Sequence, residues 1–247
     1  KLMRIFGAKV VLTPRAEKGF GMYRKAAELA EANGWFLASQ FETPANAAIH
    51  EATTAREIVA DFAGLRLDAF VTGYGTGGTF AGVSTHLRRE RPDTRIILTE
   101  PANAQLLGSG GRQEREDGGA PAASHTAFEP HPIQGWTPDF IPQVLQTALT
   151  KNCYDELLPV TGADAIAWTL ELASKEGILT GISGGGTFAV AAKVAEAAPQ
   201  GSVILCMLPD TGERYMTTPL FESIADEMNG EELALSQSTP CAQFAAE

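Results

Sequence analysis

Val71-Thr72-Gly73-Tyr74-Gly75-Thr76-Gly77-Gly78-Thr79 decides how the rest of the chain is read. Before it, Leu67-Asp68-Ala69-Phe70 has the character of a buried strand beginning, and after it residues 80–89 carry apolar side chains at helical spacing. A glycine-rich turn thus joins a strand to a helix. Glycine admits positive φ and close approach of another group, and the helix presents its unpaired first N–H groups at the positive end of its dipole. Such a turn can cradle a phosphate. Thr76 and Thr79 add hydroxyl donors, and a hydrogen bond to a charged phosphate contributes about 1.5–3 kcal/mol.

The turn has three readings at this stage. Gly73-x-Gly75-x-x-Gly78 satisfies the dinucleotide pattern, and Glu100 stands about 20 residues on, at the end of the next expected strand, where a ribose-binding acid would be. A cradle for another phosphorylated cofactor is the second reading, and a glycine turn kept for packing is the third. A P-loop is excluded, because no Gly-Lys-Ser/Thr follows the glycines.

Outward from the turn, strands and helices alternate. Residues 1–6 read as the end of a helix capped by Gly7, residues 8–13 as a strand, residues 21–33 as a helix stopped by Gly34, and Trp35-Phe36-Leu37 as a short strand. Residues 47–63 read as one helix. Past the turn, residues 95–100 form a buried strand, residues 108–127 a mobile surface loop, residues 156–160 a strand and residues 163–176 a helix ending at Gly177. Gly181-Ile182-Ser183-Gly184-Gly185-Gly186-Thr187 is a second glycine-rich turn, opening a helix over residues 188–198, and residues 203–208 read as a fully buried strand. Asp210-Thr211-Gly212-Glu213 has capping-box spacing. Periodicity fades from Asn229 onward, as in a loose tail. The alternation predicts an α/β fold with a mostly parallel sheet.

At 247 residues, with 19 basic and 30 acidic side chains and a formal charge of −11, the chain is an acidic globular protein for which nucleic acid or an anionic membrane is a poor partner. It shows no signal peptide and no membrane-spanning run, and a cytoplasmic location is expected. Cys153, Cys206 and Cys241 make neither a disulfide framework nor a metal spacing, and Cys206 reads as a small core hydrophobe. His50, His86, His125 and His131 form no i,i+4 pair, so no protein-bound metal is expected.

Several stretches together resemble the cysteine synthases (O-acetylserine sulfhydrylases) among the fold-type II pyridoxal phosphate enzymes. They are Lys1-Leu2-Met3-Arg4 with Gly7-Ala8; Gln40-Phe41 with Pro44-Ala45-Asn46 and Ile49-His50; the Gly73 to Thr79 turn; Glu100-Pro101; Ile133-Gln134-Gly135 with Phe140-Ile141-Pro142; Glu176 to Ser183; and Gly212-Glu213-Arg214-Tyr215. They keep the family's order up to about Phe221, and a dinucleotide dehydrogenase would not carry the set. The resemblance implies a tryptophan synthase β-like fold with a parallel twisted sheet flanked by helices. It divides the chain into residues 1–46 of a smaller mobile domain, residues 47–228 of a larger cofactor-binding domain and a tail over residues 229–247.

The resemblance further implies that Gly75, Thr76, Gly77, Gly78 and Thr79 hold the phosphate of pyridoxal 5'-phosphate, that Ser183 lies against its pyridine nitrogen, and that Gln40 and Gly135 bind substrate. A neutral hydroxyl can donate to an unprotonated ring nitrogen but cannot stabilise a pyridinium, which makes the ring a weaker electron sink suited to β-elimination. The implied reaction makes L-cysteine from O-acetyl-L-serine and sulfide in a homodimer. The alternatives are a cystathionine β-synthase-type enzyme, or a non-catalytic relative that binds a partner such as the C-terminus of serine acetyltransferase.

The chain departs from the family pattern in three places. The Schiff-base motif Ser-x-Lys-Asp-Arg and the substrate-carboxylate loop Ser-Gly-Asn-Thr-Gly do not occur, and none of the lysines stands in a matching context, so no catalytic residue is assigned. The sequence is therefore expected to be the C-terminal majority of an enzyme, poorly stable and inactive by itself. Gly135-Trp136-Thr137-Pro138-Asp139-Phe140 replaces a more glycine-rich segment, with Trp136 adding bulk and Asp139 a charge at the expected site entrance. Ser183-Gly184-Gly185-Gly186 replaces the more usual Ser-Ser-Gly-Ala.

Overall fold

The computed structural model describes residues 1–151 and 153–242. In chain order its helices are α1 (Leu2–Ile5), α2 (Lys18–Asn33), α3 (Pro44–Ala52), α4 (Thr54–Asp61), α5 (Gly78–Glu90), α6 (Gln143–Leu149), α7 (Gly162–Glu171), α8 (Ile182–Ala197) and α9 (Gly230–Gln237). Its strands are β1 (Ala69–Gly73), β2 (Arg95–Pro101), β3 (Glu156–Val160) and β4 (Ile204–Cys206), all parallel in the order β3-β2-β1-β4. Val71 of β1 lies opposite Ile97 on one side and Cys206 on the other.

Each face of the sheet has its own core. Phe80, Val83 and Leu87 of α5 pack with Phe70, Ile96 and Leu98 on one face, while Val190, Ala191 and Val194 of α8 pack with Val71, Ile97 and Trp136 on the other. The strand order turns at β1: the chain leaves it through α5 toward β2, and β4 arrives on its other side through α8. At such a switch point the carboxyl ends of neighbouring strands diverge and leave a crevice.

The α/β fold and parallel sheet expected from the sequence are present. So are the helix stops at Gly34 and Gly177, both left-handed with φ of 64° and 68°. Other expectations need correction. Residues 8–13 and Trp35-Phe36-Leu37 form no strand, since no described strand offers them an edge. The expected helix over residues 47–63 is two helices that break at Thr53, where φ and ψ are −122° and −80°. The strand expected over residues 203–208 is regular only at Ile204–Cys206 and half-buried, because β4 is an edge strand. Gly184, Gly185 and Gly186 are helical rather than part of a turn: a Cβ on Gly185 would lie 2.1 Å from Thr169 Oγ1, so bare backbone lets α8 close onto α7.

The loop over residues 108–127 is irregular but anchored. The Gln113 side chain is buried, donates to the Glu114 and Ala123 carbonyls and accepts from the Ile141 N–H. At the chain end, Gly230–Gln237 is a helix where a loose tail was expected. Asn229 and Glu232 cap it reciprocally while none of its residues is buried, so a local cap supports it where core packing does not. The part of that tail from residue 243 on lies outside the described residues. The box expected at Asp210 does not form either. Thr211 precedes the short helical turn Gly212–Tyr215, and Asp210 instead accepts from the Tyr215 hydroxyl. Among the described residues no helix is long and apolar enough to cross a membrane.

Candidate active site

Three segments meet at the mouth of the crevice. The first is the glycine turn between β1 and α5. Gly77 stands at φ 84°, and a Cβ on it would lie 2.6 Å from Leu145 Cβ. Gly75 faces the Gly135 carbonyl so closely that a Cβ there would lie 2.2 Å from that oxygen. Only glycine fits either place. The N–H groups of Gly75, Thr76 and Gly77 donate to no acceptor among the described residues, and the N-terminus of α5 adds the unpaired donors of its first turn. Gly78 N–H donates to Thr76 Oγ1 at 3.2 Å.

The second segment is Gly135-Trp136-Thr137. Gly135 has φ 87° and Thr137, a non-glycine, has φ 37°. The left-handed backbone at Thr137 is fixed from both sides, by its N–H donating to the Tyr74 carbonyl at 2.7 Å and its carbonyl facing His131 Nε2 at 3.1 Å. Between these residues the Trp136 indole packs against the turn. A Cβ on Gly73 would be 2.0 Å from Trp136 Cε2, and one on Gly186 would be 3.2 Å from its Cη2. The tryptophan therefore occupies volume that Gly73 and Gly186 leave free, and it is part of the sheet-face core rather than bulk at an entrance.

The third segment is the N-terminus of α8. Ser183 is its second residue and is buried, and its carbonyl accepts from Thr187 Oγ1 at 2.7 Å. Asp210 lies against this terminus: a Cβ on Gly181 would be 2.1 Å from Asp210 Oδ1, a buried oxygen with no hydrogen-bond partner among the described residues. A carboxylate there faces the positive end of the α8 dipole.

Gln40 reaches the site indirectly. Its side chain is exposed, and its carbonyl accepts from Asn46 Nδ2 at 2.7 Å, the same amide that donates to Thr76 Oγ1 at 2.9 Å. Thus Gly75, Thr76, Gly77, Gly78 and Thr79 form one turn with Gly135 packed against Gly75, Ser183 stands at the start of α8, whose Gly186 meets the same Trp136 ring as Gly73, and the backbone at Gln40 is tied to Thr76 through Asn46. Asn46 and His50 were matched in the sequence without a role. Their i,i+4 spacing on one helix was the available signal, but nothing in the sequence said which partner that face meets.

Two other sequence readings are settled by burial. Glu100 is fully buried, accepting from the Tyr74 hydroxyl at 2.6 Å, the Leu107 N–H at 3.1 Å and the Gly108 N–H at 2.8 Å. Burial and this carboxylate push the Tyr74 phenol well above its ordinary pKa. A carboxylate committed in this way is not free for a ribose, so the dinucleotide reading fails at its acidic residue. Asp139 is also buried. It accepts from Phe20 N–H at 2.9 Å and from the Ser124 hydroxyl, so its charge staples α2 to the loop over residues 108–127 rather than standing at an entrance. Burial pushes the Cys206 thiol up to about 11, leaving little thiolate at neutral pH, as suits a packing residue.

A parallel sheet with a glycine turn and two helix N-termini at its switch point defines an α/β enzyme fold that binds an anionic cofactor beyond the strand ends. The model of the pyridoxal-phosphate dependent enzymes matches residues 1–210, and the chain belongs to that family. An O-ureido-L-serine synthase of Streptomyces lavendulae is 46% identical over 91% of this chain and 63% of its own length. A cysteine synthase of Staphylococcus aureus is 38% identical over 89% of this chain and 64% of its own. The crystal structure of an O-ureido-L-serine synthase superposes with a TM-score of 0.83 at 44% identity, covering 94% of this chain and 67% of that one. The chain thus spans a little under two thirds of the length of the curated relatives it matches. Within that family it has the fold-type II architecture and is related to the cysteine synthases.

Proposed function

We propose that the protein containing this chain is a β-replacement enzyme that makes L-cysteine from O-acetyl-L-serine and sulfide, with the cofactor seated in the crevice at the end of β1. The reading is carried by the run of N–H groups at Gly75, Thr76 and Gly77, at the N-terminus of α5, that have no acceptor among the described residues. The residues present fit a phosphorylated cofactor. Those donors, with the hydroxyls of Thr76 and Thr79, suit a phosphate, and Gly78, whose bare backbone makes room for Asn46, belongs to the same cradle. Ser183 would present its hydroxyl proton to the ring nitrogen, and Trp136 and Gly135 would close the floor. Gln40 and Gly135 are the residues assigned to substrate. When bound, pyridoxal phosphate supplies the electron sink that lets a leaving group depart from Cβ of an amino acid. The neutral Ser183 hydroxyl favours that limited electron withdrawal over a protonated ring. Homodimerisation and docking of a serine acetyltransferase C-terminus belong to the same reading.

A second acceptor is favoured by one observation. The segment from Gly135 to Phe140 departs from the cysteine synthase pattern, and an O-ureido-L-serine synthase shares 46% identity with this chain. Forming that product by replacement at Cβ requires an oxygen nucleophile bearing a ureido group, such as hydroxyurea. The test is competition. The protein isolated from its source is given O-acetyl-L-serine with sulfide, homocysteine and hydroxyurea together, and the products are identified by mass. Cysteine in excess supports the proposal. O-ureido-L-serine in excess moves the assignment to the second acceptor, cystathionine to a cystathionine β-synthase-type reaction, and the absence of all three overturns β-replacement.

A further inference from the structure

Helix α3 lies across the first turn of α5, closely enough that a Cβ on Gly78 would be 1.9 Å from Asn46 Oδ1 and one on Gly82 would be 2.3 Å from the Ala47 carbonyl. Glycines four residues apart therefore let one helix lie on the backbone of the other. From α3, two side chains one turn apart reach the two hydroxyls of the glycine turn. Asn46 Nδ2 meets Thr76 Oγ1 at 2.9 Å, and His50 Nε2 meets Thr79 Oγ1 at 3.2 Å.

The direction of the Thr76 hydroxyl follows from hydrogen-bond accounting. The Gln40 carbonyl can only accept, so the Asn46 group facing it at 2.7 Å is the amide NH2, whose other N–H points at Thr76. Thr76 Oγ1 also receives the Gly78 N–H at 3.2 Å. With both acceptor positions filled, its own proton is left over, and it has no acceptor among the described residues. His50 does the same for Thr79 in one of its two neutral tautomers. Its Nδ1 faces Thr54 Oγ1 at 3.0 Å, and burial lowers its pKa, which favours the neutral ring. When the ring proton is on Nε2, the Thr54 hydroxyl donates to Nδ1, His50 donates to Thr79, and the Thr79 proton is likewise released.

We propose that Asn46 and His50 are positioning residues that aim the hydroxyl protons of Thr76 and Thr79 at a bound phosphate. The proposal rests on the cofactor reading above. It assigns to α3 the task of holding two donors in place before the anion arrives, so that little ordering remains to be done on binding.

The test uses the protein that contains this chain, expressed whole and stripped of cofactor, with pyridoxamine 5'-phosphate, which needs no Schiff base, titrated by calorimetry against pyridoxamine as the phosphate-free control. N46A is expected to weaken pyridoxamine 5'-phosphate about tenfold, the size of one charge-assisted hydrogen bond, while leaving pyridoxamine within about twofold. N46D keeps the shape and the packing over Gly78, so it serves should N46A fail to fold. It turns the Thr76 proton back toward its own carboxylate and adds a like charge, and a loss of about 100-fold is expected. H50A is expected to lose about fivefold and H50Q, which restores an N–H donor, to recover most of it. In a T76V background N46A is expected to add less than about twofold, because the two residues act through one proton. The phosphorus NMR shift of the bound ligand should move in N46D and not in H50Q. Wild-type affinity in N46D, or full additivity of N46A with T76V, overturns the positioning role even if the wild type prefers the phosphorylated ligand. If the wild type shows no such preference, the cradle reading falls and the clamp falls with it.

Discussion

Phe70 and Phe36 are both aromatic residues in stretches that read as strands, yet Phe70 is wholly buried and Phe36 is 93% exposed. The difference runs through the molecule. Around β1 every side chain position is fixed by neighbours on both faces of the sheet. Over residues 1–43 the helices α1 and α2 bury no residue, and Leu2, Ile5, Phe6 and Leu12 are exposed. That region is held by left-handed glycines, by surface ion pairs of Arg24 and Lys25 with Glu28, and by Phe20, Tyr23 and Phe41 packed on Phe140. Surface pairs of this kind contribute little, about 0–1 kcal/mol each. The proposed cofactor residues all lie in the first kind of environment. Gln40 alone lies in the second, and a single hydrogen bond from Asn46 joins it to the site.

The largest effect expected to separate the two regions comes from those phenylalanines. Phe70→Ala should lower the unfolding free energy by about 3–5 kcal/mol, from lost burial and the cavity it leaves. Phe36→Ala should stay within about 0.5 kcal/mol. Urea denaturation of both variants decides it, and equal losses would mean that residues 35–37 are packed in solution. Next come two glycines of matching φ, 84° at both Gly7 and Gly77. Around Gly7 no atom lies within 4 Å of an added Cβ, whereas at Gly77 Leu145 Cβ lies at 2.6 Å. Gly7→Ala should cost only the left-handed strain, about 1 kcal/mol. Gly77→Ala should cost about 2–3 kcal/mol and also remove the preference for pyridoxamine 5'-phosphate over pyridoxamine. Thermal unfolding with and without ligand separates the two costs.

A smaller difference is expected from two tyrosines bonded to carboxylates. Tyr74→Phe strips one of three partners from a fully buried Glu100 and should cost about 1–3 kcal/mol. Tyr23→Phe strips a partner from Glu42, which water still reaches, and should cost under about 1 kcal/mol. If the two losses are equal in chemical denaturation, burial does not set the value of these bonds.

The same division explains what could be read in advance. The glycine turn, the strand before it and the helix after it were legible because β1 is continuously apolar and its turn has few steric solutions. The parallel direction of the strands followed from alternation alone, though not their order in the sheet. Residues 8–13 and 35–37 misread because β-propensity describes a residue's fitness for a sheet, and only a neighbouring edge makes a strand. The glycines of α8 misread as a turn because their reason is tertiary: Thr169 and the Trp136 ring occupy the places their side chains would take. Trp136 and Asp139 were visible as departures from the pattern. Their burial was not, since it depends on Gly73 and Gly186 in one case and on Phe20 and Ser124 in the other.

The smallest expected effect tests whether charge at the sheet's edge behaves like the core or like the outer helices. Arg88 of α5 and Asp155, just before β3, pair at 2.8 Å, and Asp155 also accepts from the Ile96 N–H at 2.7 Å. Burial pushes the Asp155 carboxyl up, but Arg88, the Ile96 N–H and nearby Arg95 outweigh it, and its pKa lies below the ordinary value. A carboxyl whose folded pKa is depressed contributes stability above its unfolded value, about 3.9, and that contribution is lost as pH falls through the folded value. Asp155→Asn should therefore destabilise at pH 7 and by less at pH 3, by an amount that solvent screening of a half-exposed pair keeps small. Urea midpoints at the two pH values measure it. A difference that persists unchanged at pH 3 would assign the role of Asp155 to its shape and its bond to Ile96, and the edge would then be held as the core is.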